Sequence, residues 1–319
     1  MISRSPASSV VSGDGLKAIF VPGFFTATAS SLAGEVPMLD CPGMSVLVRP
    51  ARERDDYDAC VRLQREVWGL RDLEITSAIQ LVATVHAGGL LLVAEIEGEV
   101  VGFCYAFAAL RGGEAHLHSD MLAVRPAARG RGVGLRLKWA QREEALGRGL
   151  RLVTWTFDPL RAGNARLNLH HLGAASREVL PDFYGTTSSA LHHGLATDRL
   201  LVRWELDRPR VARRAAGEPT TTPDPDVLPA LNEVTWRGGV PATSPPRLDR
   251  DGPELLLEIP GDWDAVVRAG TVLAREWQDV VRQAFQSVFA RGYAAVGFVS
   301  TKGARPRAGY VLRRGRDEE

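Results

Sequence analysis

Residues 125–138 read RPAARGRGVGLRLK. Gly130, Gly132 and Gly134 alternate with Arg131 and Val133, Arg129 stands in front, and a helix-like stretch follows. Each glycine costs backbone entropy on folding, so the run marks a tight turn or a backbone that something approaches closely. Where a strand passes into a helix, the first N–H groups of the helix lack partners. With the positive end of the helix dipole they form an anion site. Arg129 and Arg131 add charge, so the loop reads as a pyrophosphate cradle; the plainer reading is a tight turn with solvated arginines. The run lacks the G-x-x-x-x-G-K-[ST] of a P-loop. It also has the wrong glycine spacing for a dinucleotide fingerprint, and no acidic ribose partner follows a second strand.

Just upstream stands HLHSD, residues 116–120. On a strand His116, His118 and Asp120 share one face, because side chains alternate with period two. Such a row could accept a proton from an attacking nucleophile. An aspartate is a weak base unless burial raises its pKa, so Asp120 reads equally as a group that binds an ammonium or a neighbouring backbone. H-x-H-x-D also has a rival reading as a zinc cluster of a hydrolase. Position 121 is Met rather than His, and the other histidines, His170-His171 and His192-His193, form adjacent pairs whose side chains point apart on a helix. The expectation is no metal, with histidines lining a polar cleft.

These groups need elements to hold them. Residues 45–51 read as a strand and 53–69 as a helix, with acids at its start and Gly69 at its end. A second helix spans 76–89, capped by Thr76 or Ser77. Residues 90–110 are two apolar runs around Glu97-Gly98-Glu99, a hairpin signal. A strand at 115–126 precedes the glycine loop, and a helix then runs to about Gly147. A strand at 150–160, a short helix at 162–174 ending at Gly173 and a strand at 196–206 complete an order β-α-α-β-β-β-α-β-α-β.

The chain has 319 residues, 45% hydrophobic and 24% charged, enough for a sizeable core in roughly two domains of ~150 residues. A net charge of +1 gives no global attraction to nucleic acid or membrane. Cys41, Cys60 and Cys104 are odd in number and widely spaced, which favours a reducing compartment. No apolar run nears the ~18 residues of a membrane span, and the expected location is the cytoplasm. Residues 1–44 read as a flexible extension, or as the product of an early start with Met38 or Met44 the true one. KAIFVPGFF followed by small residues makes a poor signal peptide, interrupted by Pro22 and Gly23.

Arg129-x-x-Gly132-x-Gly134 directly after VRP resembles the acyl-CoA loop of the GNAT acyltransferase superfamily, [RQ]-x-x-G-x-[GA] between the fourth strand and the third helix. The element order is also similar. LKWAQREEALGRGL, TWTFDPL, NARLNLHHLGA, DFYG and TDRLLVRWEL, with LLLEIPGDWDAVV and the run after it, resemble one uncharacterised subgroup over about residues 45–313. The resemblance implies an α/β (α+β) fold, a mixed, mostly antiparallel sheet flanked by helices. It implies acetyl-CoA or another acyl-CoA as co-substrate and an amine as acceptor, attacked directly in a ternary complex. A homodimer is compatible with it. It implies an oxyanion N–H from Met121-Leu122-Ala123, a backbone track for the pantetheine arm continuing to Val124, and cofactor contacts from Arg129, Gly130, Arg131, Gly132, Val133, Gly134 and Asn164. Asn164 reads otherwise as a helix N-cap.

For catalysis the resemblance points to Asp120, with His118 beside it, though the subgroup has His where Asp120 stands. The tyrosine that many members use as general acid falls at Leu169 here. Tyr184, in DFYG, is the substitute; a core tyrosine at a strand start is the plainer reading. The missing acid keeps open a catalytically weak acyl-CoA sensor.

Beyond residue 206 the composition shifts to Pro, Thr and Arg, and residues 207–253 read as a linker in which RPRVARR is a solvated run. A strand at 254–260, a helix over 263–291 with Gly292 as its stop, and strands at 293–300 and 309–314 then make a small α/β unit. This unit, residues 254–319, is expected to pack on the 45–206 core and help wall the acceptor site. Near-neutral charge favours a small-molecule amine as acceptor.

Overall fold

The computed structural model describes residues 45–185, 194–301 and 306–315. The readings placed on residues 1–44, including Cys41, and on His192-His193 fall outside them.

Twelve strands and seven α-helices are described. In the first half these are β1 (Leu47–Pro50), α1 (Arg54–Trp68), α2 (Ala78–His86), β2 (Leu90–Ile96), β3 (Glu99–Arg111), β4 (Glu114–Val124), α3 (Val133–Gly147) and β5 (Leu152–Phe157). Then come α4 (Ala162–Ala165), β6 (Ala175–Leu180), β7 (Arg199–Glu205), α5 (Pro209–Ala215), β8 (Val234–Arg237) and β9 (Val240–Thr243). The last are β10 (Glu254–Ile259), α6 (Trp263–Ala269), α7 (Thr271–Ala290), β11 (Tyr293–Ser300) and β12 (Ala308–Arg314).

Local chemistry sets these limits. At the start of α1, Asp56 accepts the backbone N–H groups of Arg52 and Glu53 and is gripped by Arg49 of β1. This holds its carboxyl down at about 2, with the Arg49 hydrogen bond the largest cause. Gly69 ends α1 in the left-handed region, its N–H reaching Arg65 O at 2.9 Å. Ser77, not Thr76, caps α2 by accepting the N–H of Gln80. Glu97 and Gly98 both take positive φ, 53° and 81°, as a two-residue hairpin turn requires.

Ten strands form one sheet in the order β1-β2-β3-β4-β5-β7-β6-β11-β12-β10. All neighbouring pairs are antiparallel except β4 and β5. The fold is therefore the expected mixed, mostly antiparallel sheet flanked by helices. One face packs a large apolar cluster. Leu137 and Trp139 of α3, Trp155 of β5 and Trp204 of β7 belong to it, as do Trp277 and Phe285 of α7 and Tyr310 of β12. On the opposite face a second cluster joins α1 and α2 to Phe103 and Tyr105 of β3 and Ala123 of β4.

Four elements differ from the sequence expectation. β6 was not foreseen, because Arg177 and Glu178 interrupt its apolar pattern. The short helix of residues 162–174 is α only to Ala165 and continues as a π-helix over Arg166–His171. The helix expected over 263–291 breaks at Gly270, whose φ of 143° suits no other residue well. The segment 207–253 carries α5 and the β8–β9 hairpin, elements too short for periodicity to show. Within it Asn232 bonds the backbone of Glu258 in both directions, at 2.9 and 3.1 Å, and so ties the segment to β10. The C-terminal strands extend the sheet through the pairing of β11 with β6 at Ala295 and Ser176.

Candidate active site at the parting of two strands

β4 is the element on which the site is built. It pairs with β3 along its length, but the register slips between Tyr105 and Ala106: Tyr105 faces Met121 and Ala106 faces Ser119. Asp120 is therefore the extra residue of a β-bulge, opposite no residue of β3. Sequence reasoning placed Asp120 on the His116–His118 face. It could not show the bulge, since one inserted residue leaves no compositional mark.

On its other side β4 pairs with β5 in parallel, and only at Leu117–Val153 and His118–Thr154. Beyond that point the strands part. Arg125 N donates to Val101 O at 2.8 Å, so Arg125 turns its backbone toward β3. By alternation Leu122 and Val124 turn N–H and C=O the other way, into the gap left by β5. Arg129 Nε reaches Val124 O there at 3.2 Å. Of the four backbone candidates, Leu122 and Val124 thus face the gap, where Arg129 already holds Val124 O, while Met121 and Ala123 face β3.

The gap leads to the glycine loop. Gly130 and Gly132 have φ of 76° and 74°, so both require glycine for conformation. A Cβ on Gly134 would meet only ordinary contacts with Leu122 and Val124. Gly132 is the N-cap of α3 and offers no side-chain cap. The opening N–H groups of α3 are consequently uncapped, and Arg129, Gly130, Arg131 and Gly132 are exposed around them while Val133 is buried. Uncapped N–H groups at a helix start, with arginines beside them, are able to hold an anion.

Polar side chains line the sheet face turned away from α3. His118 Nδ1 and Thr154 Oγ1 share a hydrogen bond of 2.9 Å, and the His118 ring packs on Phe107 at 5.1 Å between centroids. Burial, then His116, then Lys138 lower the His118 pKa to about 4, so the ring is neutral at pH 7. His116 points Nδ1 at the Glu114 carbonyl, 3.0 Å away, which makes that nitrogen the donor. Asp120 is reached by solvent, yet protein surrounds the carboxyl on enough sides that desolvation raises its pKa. Two positions along β5 from Thr154, Thr156 bonds the Tyr184 hydroxyl at 3.1 Å. Tyr184 is exposed in a turn after β6, with the Arg199 guanidinium 5.1 Å from its ring centre, so it is neither core nor the start of a strand.

Other candidates fall elsewhere. Leu169 is wholly buried. Asn164 lies exposed inside α4, whose N-cap is Arg161, so the N-cap reading fails. It lines a cleft with Arg161 and residues 261–264. The rings of His170 and His171, at the end of the π-helix, meet edge to face at 4.9 Å instead of pointing apart. Among the described residues no group of three His, Cys, Asp or Glu side chains could hold a metal ion. No helix among them is long and apolar enough to cross a membrane. Cys60 and Cys104 are free and buried.

Sequence reasoning missed Lys138, fully enclosed on the α3 side of β4. Its signal was available: Lys138 and Gln141 stand three apart on the stripe that carries Leu137 and Ala145.

Residues 54–173 match the Acetyltransferase (GNAT) family. No curated protein matches the chain. Among solved structures, the yncA protein of Salmonella typhimurium with acetyl-CoA is 21% identical, with a TM-score of 0.42 over 51% of this chain and 94% of that one. A GNAT-family protein of Desulfovibrio desulfuricans is 19% identical, with a TM-score of 0.42 over 51% and 99%. The ribosomal-protein-alanine N-acetyltransferase of Brucella melitensis is 22% identical, with a TM-score of 0.40 over 49% and 98%.

Proposed function

From the premise that residues 54–173 form a GNAT acetyltransferase domain, we propose that this chain is an acyl-CoA-dependent N-acyltransferase. Acetyl-CoA is the expected donor and the amine of a small molecule the expected acceptor. One observation carries the reading: β4 and β5 part beyond His118–Thr154, and the gap runs from the β4 backbone at Leu122 to the uncapped start of α3. An extended thioester with a pyrophosphate at one end matches that geometry.

The α3 N–H groups, with Arg129 and Arg131, take the pyrophosphate. Leu122 and Val124 pair with the amide-bearing arm, and Asn164 borders it. A neutral amine attacks the thioester carbon, and the C–S bond breaks as the C–N bond forms. The Leu122 N–H faces the oxygen on which negative charge develops. Asp120, unpaired at the bulge and raised by desolvation, takes the ammonium proton directly or through water. His118, neutral and fixed on Thr154, orders that route. Tyr184 is the candidate to return a proton to the departing thiolate.

A second reading, an acyl-CoA sensor with little turnover, is favoured by the burial of Leu169 where a tyrosine acid is expected. Thiol release with a panel of amines and acyl-CoAs, beside calorimetry of acetyl-CoA and CoA, tests both. Turnover supports the enzyme. Tight binding with silence across amines and N-terminal peptides supports the sensor, and no binding overturns both.

A further inference from the structure

On the face of β4 that looks toward α3, Lys138 is completely buried. Its Nζ donates to Gln141 Oε1 at 2.7 Å and to Ser119 Oγ at 3.2 Å, and it lies 3.6 Å from the centre of the Trp155 ring. Trp204 stands on a further side at 5.4 Å. Gln141 Nε2 also donates to Ser119 Oγ, at 3.1 Å. With both its lone pairs taken, the Ser119 hydroxyl has its own proton left for Cys104 Sγ, 3.7 Å away. Every polar atom of the cluster is satisfied, but no carboxylate among the described residues pairs with the ammonium.

A buried charge without a counter-ion is expensive, and a methionine or leucine would fill the space without that cost. The position gives the charge a use. Ser119, the residue Lys138 holds, immediately precedes the bulged Asp120. The charge therefore sits on the α3 side of the bulge, one residue from Asp120, screened by protein and not by water. In a low dielectric a fixed positive charge favours negative charge nearby far more than an exposed one does.

We propose that Lys138 is a positioning residue for acyl transfer, its enclosed ammonium fixing the β4 bulge from behind and favouring the negative charge that develops at the acyl oxygen. The inference rests on the acyltransferase reading above. The groups facing Lys138 are Cys104 from β3, Ser119 from β4, Trp155 from β5, Trp204 from β7 and Gln141 from α3, with His118 across the strand on the opposite face; none is acidic at neutral pH. Burial lowers the Lys138 pKa to about 8, so the charge is present at pH 7 and lost in mild alkali. The same charge helps to keep His118 neutral.

The test compares Lys138→Met, which keeps volume and removes charge, with Ser119→Ala, which keeps the ammonium and cuts its tie to β4. Lys138→Met should lower kcat at least tenfold with the acyl-CoA KM within twofold, and should raise the pKa of the His118 ring in a proton NMR titration. Ser119→Ala should lose less in kcat and leave the His118 titration in place. In the unaltered protein, kcat at saturating amine should fall with the same midpoint as the 13Cε shift of Lys138, a measurement that requires no variant to fold. Unchanged kcat and His118 titration in Lys138→Met overturn the proposal, as does an equal loss in both variants with His118 unmoved. So does a kcat that ignores the Lys138 titration. An unaltered protein that transfers no acyl group overturns the acyltransferase reading and this proposal together; activity undiminished in Lys138→Met overturns this proposal alone.

Discussion

His118 and Thr154 are the last paired residues of the parallel β4–β5 ladder, and their side chains are bonded as well, Nδ1 to Oγ1 at 2.9 Å. The point at which the sheet opens is thus pinned by a side-chain bond as well as by backbone. Thr154→Val removes the bond at nearly constant volume. The expected result is a kcat reduced about tenfold with acyl-CoA affinity retained, since the loss falls on orientation and not on the α3 end of the gap. Steady-state kinetics beside calorimetry checks it.

Asp120→Asn removes the carboxylate carried by the bulge. As a base lost, it should cut turnover by roughly 10²–10⁴ and leave acyl-CoA binding nearly unchanged. The acidic limb of the pH–rate profile should vanish with it. A loss expressed only as a raised amine KM would reassign Asp120 to binding the acceptor ammonium.

Gly132 takes φ 74° with open space where a Cβ would stand. Gly132→Ala should therefore cost stability through backbone strain alone, about 1–2 kcal/mol. Gly132→Asp carries the same strain, partly offset by its negative charge at the start of α3, and should abolish CoA binding. Thermal melts and calorimetry separate the two effects.

Lys138 gives a stability signature with a definite sign. Its folded pKa, about 8, lies below its ordinary value of 10.5. Between those values the unfolded chain holds the proton and the folded chain does not, so this group adds stability as pH rises from 8 to 10.5. Buried Cys104 acts the opposite way, its thiol pushed up by burial. The difference between the original protein and Lys138→Met isolates the lysine: the stability gap between them should change in favour of the original over that window. Denaturant titrations at pH 7.5, 9 and 10.5 measure it.

A chain ending at residue 206 is expected to lose cooperative unfolding. Truncation removes Trp277, Phe285 and Tyr310 from the apolar cluster they share with the first half of the chain, and with them the bond from Tyr310 hydroxyl to Pro159 O at 2.6 Å. Dye binding to exposed apolar surface and a broadened thermal melt would report the loss.

The β4–loop–α3 unit was legible because it is local. Period-two alternation through HLHSD marked the strand, and glycines at 130 and 132 marked backbone no other residue adopts easily. The bulge was not legible, since alternation reads the same on both sides until a partner strand reveals the slip. Tyr184 was visible only as a residue type; its contact with Thr156 depends on how β6 and β7 fold back. The union of the C-terminal strands with the sheet rests on Ser176 meeting Ala295, a contact between distant segments that no local pattern encodes.

That same contact sets an order of events during synthesis. β6 leaves the ribosome with one edge bare, and its partner β11 emerges more than a hundred residues later. At roughly 5–20 residues per second, Ala295 follows Ser176 out by on the order of ten seconds. Through that interval the nascent half carries an open strand edge and uncovered apolar surface, the combination that invites pairing with a neighbouring chain. Slow codons or a trigger-type chaperone acting between residues 207 and 292 would change the yield of soluble protein without touching a residue of the site.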